Sequence, residues 1–399
     1  SHRPAGYTAI FVREGPTMST LVCNGLLVDG TDRDPIVNGV VLVEGNQIVA
    51  AGPEPSVHAP AGTEVLDAEG GTIIPGLFNA HDHISRKSLR IPQPGASFRD
   101  QGTRLMSQPL EYLMLHSAQN VLAELRSGVT TIIDYGLAGL TSVSLKRAIN
   151  EGLVAGPRLL IAVKPICITG GHTYRQAREA DGPDEVRKAV REQLKAGADR
   201  IKFMGSGGLE HFPDEEPTHV EYTLEELQAG VGEAHKFHKR TAIHAYATDA
   251  IKIAVRAGID SIEHCVYLDE EGLDIMKRAG TAMVPTISGL VHLPFQYRAV
   301  GRQDLYDAIM TRVIQVHYRA IRMAWEAGLR IGIGSDSGGE VVEEMEIVQE
   351  ATGMSNLDCL RAATRVSAEI AGLDKLTGTL EPGKRADLVV VAGQPLDRL

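Results

Sequence analysis

The sequence predicts an α/β fold: a (β/α)8 TIM barrel with a small β-sandwich domain formed from both chain ends. Three observations lead to this prediction. The middle of the chain alternates short apolar runs with segments of 3.6-residue periodicity, which is typical of strands followed by helices. Eight such runs occur, the number that an eight-stranded barrel needs. The two ends of the chain instead contain short β-branched runs separated by turn signals.

Length and composition agree with a barrel plus one smaller domain. The chain has 399 residues, of which 43% are hydrophobic and 23% charged, an ordinary balance for a soluble globular protein. A barrel alone takes about 250 residues, so a second, smaller unit fits the remainder. The formal net charge of −11 provides no basic surface for a phosphate backbone. We therefore expect no nucleic-acid partner.

The β-rich ends define the predicted domains. The runs LVCNGLLVDG, GVVLVEGNQIVAAG and TEVLDAEGG lie between residues 21 and 71, and PGKRADLVVVAG lies at 382–393. We place the N-terminal part of the small β domain at 18–72, with the protein's own start expected at Met18. The catalytic barrel is placed at 73–376, and the C-terminal part of the small domain at 377–399.

Eight apolar runs are the predicted barrel strands. They are TIIPGLFNA (72–80), TTIID (130–134), RLLIA (158–162), RIKFM (200–204), TAIHA (241–245), SIEHC (261–265), TAMVP (281–285) and RIGIGS (330–335). Predicted helices between them span 109–127, 184–197, 223–239, 248–257, 269–279 and 304–327. Several helices end alike, as in QLKAGADR and AVRAGIDS, where a glycine in the left-handed cap position precedes a strand. A doubly wound open sheet would give similar local patterns, but the absence of a GxGxxG turn after the first strand favours the barrel.

Polar side chains gather at one end of the predicted strands. In a barrel, catalytic groups lie at the carboxyl ends of the strands. Five of the eight strands carry a metal-competent residue there. These residues are His81 and His83 after strand one, Lys202 in strand four, His244 in strand five, His264 in strand six and Asp336 after strand eight. Each alone has a structural explanation, such as a hydrogen-bonded core histidine or a helix N-cap aspartate, but random placement would scatter such residues over both ends.

The spacing of His81 and His83 suits metal binding. Residues two apart in an extended strand point to one face, so both imidazoles can reach one ion. Imidazole and carboxylate ligands suit zinc or a similar divalent ion. Lys202 is an unusual ligand, because an ammonium group repels a metal ion.

The motifs PGLFNAHDH, IKFMGSGG, AIHAY, SIEHC and GIGSDSGG together resemble the amidohydrolase superfamily, binuclear type with a carboxylated lysine. The order of HxH, Lys, His, His and Asp on strands one, four, five, six and eight matches that pattern. The HxH motif alone is weakly specific, whereas the ordered set is strongly specific. Further segments, GVTTIIDYG, GGHTYRQ, GSGG and HAYATDAI, resemble the branch of Xaa-Pro/Xaa-Arg dipeptidases (carboxypeptidase-like) and ochratoxin or carbamate hydrolases.

The resemblance implies two divalent metal ions, zinc by expectation, and a role for each ligand. His81, His83 and Asp336 would hold the more buried ion, and His244 and His264 the more exposed one. Lys202, carbamylated by CO2, would bridge the two ions. A metal-bridging hydroxide would attack the substrate carbonyl, with Asp336 acting as general base and then general acid.

Three further residues are implied in the substrate pocket by analogy. His172 would hydrogen-bond the substrate carbonyl as a catalytic residue, Tyr246 would bind a substrate carboxylate, and Arg175 would pair with an anionic substrate. Each also has a structural reading, as a polar loop residue, a buried aromatic on the rim and an exposed loop arginine respectively. The segment after Asp336 and the chain after residue 393 are short for this superfamily. In this superfamily the loop after the last strand shapes the substrate pocket, so its length bears on substrate specificity.

The predicted function is a metal-dependent hydrolase that cleaves the amide bond of a dipeptide or N-acyl amino acid. The alternative is a hydrolase of xenobiotic amides, carbamates or ureas, for which a large apolar pocket in place of a carboxylate clamp would be the distinguishing sign. A mononuclear deaminase fits less well, because such sites lack the bridging lysine. A non-catalytic assembly protein is also considered, but such proteins usually lose several ligands.

The expected partners are a small-molecule substrate and further copies of the same chain, since relatives are commonly homo-oligomers. No apolar run approaches the roughly 18 residues that span a bilayer, so no membrane association is expected. Four cysteines without CxxC spacing suit a reducing compartment. We therefore expect a cytoplasmic enzyme.

Overall fold

The computed structural model describes residues 7–8, 19–86, 98–210 and 212–399, in which strands and helices alternate as predicted. The strands are β1 (Tyr7–Thr8), β2 (Ser19–Leu27), β3 (Ile36–Glu44), β4 (Gln47–Pro53), β5 (Glu64–Asp67), β6 (Thr72–Pro75), β7 (Leu77–Asp82), β8 (Val129–Asp134), β9 (Arg158–Ile161), β10 (Ile166–Cys167), β11 (Arg178–Glu179), β12 (Arg200–Met204), β13 (Arg240–Ala245), β14 (Ser261–His264), β15 (Ala282–Val284) and β16 (Leu388–Val391).

The helices fall between or after the parallel strands. They are α1 (Phe98–Met106), α2 (Leu110–Arg126), α3 (Thr141–Asn150), α4 (Gly182–Ala196), α5 (Leu224–Lys236), α6 (Thr248–Ala257), α7 (Glu270–Ala279), α8 (Ile287–Val291), α9 (Leu293–Ala299), α10 (Gln303–Ile309), α11 (Gln315–Glu326), α12 (Val341–Thr352), α13 (Asn356–Arg361) and α14 (Ser367–Ala371). A π-helical turn at Met310–Ile314 joins α10 to α11, so the predicted helix 304–327 is two helices around a widened turn. In the described part of the chain, no helix is both long and apolar enough to cross a membrane.

Both ends of the chain meet in one sheet. The seven-stranded sheet has the order β1-β16-β6-β2-β3-β4, with β5 paired to β2. Strand β16 runs antiparallel to β6, with Val389 opposite Ile74. Val22, Ile73 and Val390 pack into the apolar cluster of this unit. The predicted sheet from both chain ends is therefore present, and β1 adds two residues that precede the predicted start of the small domain.

The parallel strands form two assigned sheets. One is three-stranded, β7-β8-β9, and the other six-stranded, β11-β10-β12-β13-β14-β15. Backbone hydrogen bonds connect them: the amide of Asp199, just before β12, donates to the carbonyl of Ile161 in β9. At the other edge, Ile331 bridges Met283 in β15, and the amide of Ala80 in β7 donates to the carbonyl of Ile333. The α/β character is thus confirmed, while the closed eight-stranded barrel stays a prediction.

Two of the predicted strands differ from the observed ones. The run 72–80 is divided at Gly76, so that β6 belongs to the mixed sheet and β7 to the parallel one. A Cβ at Gly76 would lie 2.1 Å from the Thr130 hydroxyl oxygen, so the chain turns from one sheet to the other where only glycine fits. The run 330–335 makes isolated bonds on both sides without forming a regular strand. A Cβ at Gly334 would lie 2.6 Å from the His81 amide nitrogen, which shows how closely this segment passes β7.

The helix ends agree with the glycine signals in the sequence. Gly197, Gly258 and Gly280 follow α4, α6 and α7 with φ angles of +105°, +90° and +70°. A side chain is disfavoured in this left-handed conformation, and glycine allows the chain to turn at once into the next strand. The short connections leave the opposite, carboxyl ends of the strands open for longer, functional loops.

Candidate metal centre and active-site cavity

Four histidines from three strands meet at the carboxyl ends of the parallel strands. The ring centroids of His81 and His83 are 5.3 Å apart, those of His81 and His264 are 5.2 Å apart, and those of His244 and His264 are 4.6 Å apart. All four side chains are buried. Burial is the largest cause that lowers the pKa of each imidazole, to about 4 for His83. Neutral imidazoles with a free lone pair are the form that binds metal ions.

Each of these imidazoles is oriented through one nitrogen. Nδ1 of His81 lies 2.7 Å from a carboxylate oxygen of Glu263. Nδ1 of His264 lies 2.5 Å from the hydroxyl of Thr286. Nε2 of His81 is buried without a hydrogen-bond partner. A hydrogen bond through one ring nitrogen fixes the orientation and the tautomer of the ring, as is usual for metal-binding histidines.

The other two imidazoles are held by backbone carbonyls. Nδ1 of His83 lies 3.3 Å from the Gly136 oxygen, and Nε2 of His244 lies 3.2 Å from the Gly207 oxygen. Nε2 of His83 faces Asp336 at 3.9 Å. In each ring, one nitrogen is thus held by the protein and the other is available for a ligand.

Asp336 completes a compact group with the HxH motif. One ligand atom each from His81, His83 and Asp336 lie within 4.8 Å of one another, a spacing that could hold a metal ion. The Asp336 amide donates to the His81 carbonyl at 2.9 Å, which ties the loop after residue 335 to β7. Burial raises the pKa of the carboxyl group, but His81, His83 and the Ser337 amide outweigh it and hold the pKa well below its usual range. The group is therefore a carboxylate at neutral pH.

Lys202 lies among these residues with its amine buried. Nζ has no hydrogen-bond partner and lies 4.3 Å from the centroid of the Tyr135 ring. Burial lowers the pKa of the amine to about 8, against the opposing effects of Glu263 and Asp336. An unpaired buried ammonium is costly, so the environment favours a neutral or chemically modified amine.

His172 lies beside the histidine group, on the loop after β10. Its ring stacks on His244 with centroids 4.2 Å apart, and Nδ1 lies 2.6 Å from a carboxylate oxygen of Glu215. Burial lowers the pKa of His172, but Glu215 outweighs this and the pKa is raised to about 8. A Cβ on Gly208 would lie 2.5 Å from Cε1 of His172, so this glycine leaves room for the ring.

Of the two residues expected to bind substrate, only Tyr246 lies with the ligand group. Its ring stacks on His244 at 4.8 Å, and its amide donates to the Ser206 hydroxyl at 2.8 Å. Arg175 is exposed, and its Nε donates to the Tyr174 hydroxyl at 3.3 Å. It lines a neighbouring cavity that shares His172 with the main one. The structure thus separates Arg175 from the histidine group.

The members of the group other than His81 line one cavity that is open to solvent. Its lining includes His83, His172, Lys202, His244, Tyr246, His264 and Asp336. Met204, Leu209, Leu290 and Leu293 supply an apolar part of the wall. Leu290 and Leu293 come from α8 and α9, which follow β15 and pack with Leu209 in one apolar cluster. A concave site with an apolar wall and a few convergent polar groups is typical of small-molecule binding.

Sequence reasoning missed Glu263, the buried partner of His81. Strand alternation places Glu263 on the face opposite His264, away from the site. The structure brings both inward, because His264 has a φ angle of +70° at the strand end and the alternation stops there. An acidic residue inside an apolar strand, SIEHC, is the signal that could have identified it, since buried carboxylates are usually paired.

Sequence reasoning also missed Arg86 and Glu210, which line the same cavity. Nη1 of Arg86 lies 3.3 Å from Oε2 of Glu210, and both side chains are largely buried. Arg86 follows the HxH motif by three residues, and its amide donates to the His83 carbonyl at 2.8 Å. No local pattern distinguishes this arginine from a surface residue, because its partner lies far away in the sequence.

Comparison with known proteins agrees with this arrangement. A model of the amidohydrolase family matches residues 72–399. Ochratoxinase from Aspergillus niger is 27% identical over 411 residues, which cover 95% of this chain and 82% of the relative. A crystal structure of a Xaa-Pro dipeptidase with bound methionine in the active site superposes with a TM-score of 0.83 at 28% identity, covering 95% of both chains. A prolidase complexed with N-methylphosphonate-L-proline superposes with a TM-score of 0.83 at 31% identity, covering 96% of this chain and 94% of the other.

The family match spans the strands that carry His81, Lys202, His244 and His264 and the loop that carries Asp336. The similarity to the three relatives extends over nearly the whole chain. The protein therefore belongs to the amidohydrolase family and, like the relatives just named, is a hydrolase.

Proposed function

We propose that the protein hydrolyses the amide bond of a dipeptide or N-acyl amino acid at a site for two divalent ions. The observation that carries this proposal is a pair of buried nitrogens without hydrogen-bond partners, His81 Nε2 and Lys202 Nζ. Both lie among neutral imidazoles and the Asp336 carboxylate. Buried polar atoms are normally satisfied, so a bound group is the simplest partner for them. Relatives named as ochratoxinase, Xaa-Pro dipeptidase and prolidase support an amide substrate.

The donor set fits two ions such as zinc. His81, His83 and Asp336 would hold one ion, and His244 and His264 the other, each through the nitrogen that the protein leaves available. Lys202 would join the two after modification: its neutral amine nitrogen adds to the carbon of CO2 and loses a proton, which gives a carbamate with two oxygen donors. The lowered pKa of about 8 supports this step, because part of the amine is neutral at neutral pH.

The chain's own residues would then move the proton and orient the substrate. When bound, the ions supply a hydroxide nucleophile at neutral pH and polarise the scissile carbonyl. Asp336, a carboxylate at neutral pH, takes the proton from the attacking oxygen. The oxygen–carbon bond forms, the carbon–nitrogen bond breaks, and Asp336 passes the proton to the leaving amine. His172, oriented by Glu215, donates a hydrogen bond to the carbonyl oxygen, and Tyr246 contacts the substrate beside His244.

We propose that the two parallel sheets close into one (β/α)8 barrel at 73–376. The backbone hydrogen bonds from Asp199 to Ile161 and from Ala80 to Ile333 support this interpretation. The strands before residue 72 and those at 377–399 would form the small β-sandwich domain beside the barrel. A homo-oligomer and a cytoplasmic location stay predictions.

Metal content and turnover test the proposal together. The protein is loaded with zinc with and without bicarbonate, its ions per chain are counted, and a panel of dipeptides and N-acyl amino acids is assayed. We expect two ions per chain, with hydrolysis lost and the metal content reduced in Lys202→Ala. Lys252→Ala is the matched control, because Lys252 pairs with Asp269 and Glu271 outside the cavity. Fewer than one ion per chain in active, zinc-replete protein contradicts the two-ion site.

A second candidate function is hydrolysis of a xenobiotic amide, carbamate or urea. The apolar wall formed by Leu209, Leu290 and Leu293 favours it, as does the position of Arg175 outside the main cavity. Activity on an aryl amide or carbamate with no turnover across the dipeptide and N-acyl panel would select this candidate. The intact ligand set argues against a protein without catalytic activity.

A further inference from the structure

Arg86 is the buried guanidinium of the main cavity. It lies in the turn directly after the HxH motif, where its amide donates to the His83 carbonyl and the side chain is directed back to the site. Its side chain is 6% exposed. Among the described lysine and arginine residues, only Arg86 and Lys202 line this cavity, and Lys202 is surrounded by the proposed metal ligands. A buried cation at a solvent-connected cavity requires an anion close to it.

Glu210 supplies that anion in the structure. It lies on the loop after β12, lines the same cavity, and its Oε2 is 3.3 Å from Nη1 of Arg86. Charge-assisted N–H···O contacts of arginine with a carboxylate are usually about 2.7–2.9 Å long. Glu210 therefore neutralises Arg86 across a distance longer than that of an optimal ion pair. A substrate carboxylate can compete with Glu210 for the same guanidinium.

The apolar part of the cavity wall indicates what else the ligand carries. Leu209 precedes Glu210 and packs with Leu290 and Leu293 in the apolar cluster that covers this side of the cavity. The cavity thus presents both a cation near His83 and an apolar surface. An amide with a carboxylate at one end and an aliphatic or aromatic group at the other matches both surfaces.

We propose that Arg86 binds the carboxylate of the substrate, and that Glu210 holds the guanidinium in place until the substrate carboxylate replaces it. This inference rests on the proposed function, since it names the residue that would bind the carboxylate that dipeptides and N-acyl amino acids carry. It assigns to Arg86 the carboxylate-binding role that the sequence suggested for Tyr246, with Arg175 as a further partner for an anionic substrate. Arg86 would also exclude the neutral counterpart of the same substrate, because the charge pair would then be broken without replacement.

Equilibrium binding of two probes tests the proposal. The zinc-loaded protein is titrated calorimetrically with N-acetyl-L-leucine, which carries a carboxylate, and with N-acetyl-L-leucinamide, which is neutral. We expect the wild-type protein to bind the carboxylate at least about tenfold more tightly, as expected for one charged hydrogen-bonding group. Arg86→Gln should abolish this preference, and Arg86→Lys should retain part of it. Arg191→Gln is the control, since Arg191 in α4 pairs with Glu233 in α5 and neither residue lines the cavity.

The variant Glu210→Gln distinguishes a specific role of the Arg86–Glu210 pair in carboxylate binding from a general loss of structure. Removal of the competing carboxylate should tighten binding of N-acetyl-L-leucine by about three- to tenfold, the opposite sign to Arg86→Gln. Weaker binding in Glu210→Gln contradicts the role given to that residue. Equal affinity of the wild-type protein for both probes, no binding of the carboxylate at millimolar concentration, or a preference that survives Arg86→Gln overturns the proposal. Loss of the preference in Arg175→Gln but not in Arg86→Gln would assign carboxylate binding to Arg175. This result also overturns the proposal.

Turnover of the dipeptide and N-acyl panel is measured separately. A carboxylate preference that depends on Arg86, without turnover of any panel compound, supports Arg86 as the anion-binding residue and contradicts the proposed function. Turnover without the preference contradicts the assignment of Arg86 alone.

Discussion

Nδ1 of His81 lies 2.7 Å from Oε2 of Glu263, and both side chains are fully buried. Oε1 of Glu263 also accepts from the hydroxyls of Ser261 at 2.8 Å and Tyr135 at 3.2 Å. The carboxylate is thus fixed by Ser261 on its own strand and by Tyr135 directly after β8, and it in turn fixes the His81 ring. With Nδ1 occupied in this way, Nε2 of His81 is the nitrogen left for a metal ion.

Glu263→Gln should weaken zinc binding by about 10- to 100-fold, because the uncharged amide no longer fixes the tautomer and basicity of His81. Zinc affinity is measured by chelator competition on metal-free protein. Glu233→Gln is the control, since Glu233 is a buried carboxylate that pairs with Arg191 away from the cavity. Unchanged zinc affinity in Glu263→Gln, with the fold retained, would show that Glu263 does not orient a metal ligand.

Gly208→Ala should lower kcat by about 10- to 100-fold on whichever panel compound is hydrolysed, with the metal content unchanged. The added Cβ would lie 2.5 Å from Cε1 of His172, so the ring must move from its stack on His244. A displacement of about 1 Å at a positioned catalytic group is enough for such a loss. Gly232→Ala is the control, because a Cβ there meets no atom within 4 Å. Full activity in Gly208→Ala would remove His172 from the mechanism.

Much of the architecture could be predicted from the sequence, because it is set by local patterns. Helices such as α6 at Thr248–Ala257 coincide with their predicted bounds, since apolar periodicity and a glycine cap define both the face and the end. The run 72–80 is predicted as one strand because apolar residues continue on both sides of Pro75 and Gly76. The Pro-Gly pair is the local signal for the break, and the close approach of Thr130 on β8, which excludes a side chain at residue 76, is a tertiary contact.

The candidate site also combines residues that local sequence patterns predict with residues that only tertiary contacts bring together. His81, His244 and His264 lie at or near the carboxyl ends of their strands and Lys202 lies within β12, and the order of these residues along the chain predicts a common group. Arg86 and Glu210 form a pair through loops whose conformation depends on packing over the whole barrel end. The identity of the substrate is determined by such loop contacts, and this is why it could not be predicted with the metal ligands.

Gly76→Ala should lower the free energy of unfolding by about 1–3 kcal/mol, the usual cost of overpacking. The new Cβ would approach the Thr130 hydroxyl oxygen to 2.1 Å and its methyl carbon to 2.3 Å. Gly76→Ala combined with Thr130→Ala removes both atoms, so the double variant should be less destabilised than the sum of the single variants. Urea unfolding of the four proteins measures this coupling. Strict additivity would show that Thr130 is not what excludes a side chain at residue 76.

Asp260 provides a stability prediction that depends on pH and lies away from the cavity. Its carboxylate accepts from the Thr241 amide at 2.7 Å and hydroxyl at 2.8 Å, and lies 2.9 Å from Nε2 of His235. Burial raises the pKa of Asp260, but these hydrogen bonds outweigh it and the net pKa is lowered. A carboxyl group whose pKa is lower in the folded state stabilises the protein above its unfolded pKa of about 3.9. This stabilisation is lost as the pH falls through the folded value.

Asp260→Asn should therefore destabilise the protein by about 1–2 kcal/mol at pH 7, where the carboxylate is charged in both the folded and the unfolded state. The difference from the wild-type protein should shrink below about pH 4, because Asp260 is then increasingly protonated in the unfolded state and its advantage declines. Chemical denaturation at a series of pH values measures the difference directly. Asp397→Asn near the C-terminus serves as the control, and we expect a difference near zero at each pH. A penalty in Asp260→Asn that stays constant from pH 7 to pH 3 would mean that packing, and not the charge on this carboxylate, accounts for its contribution.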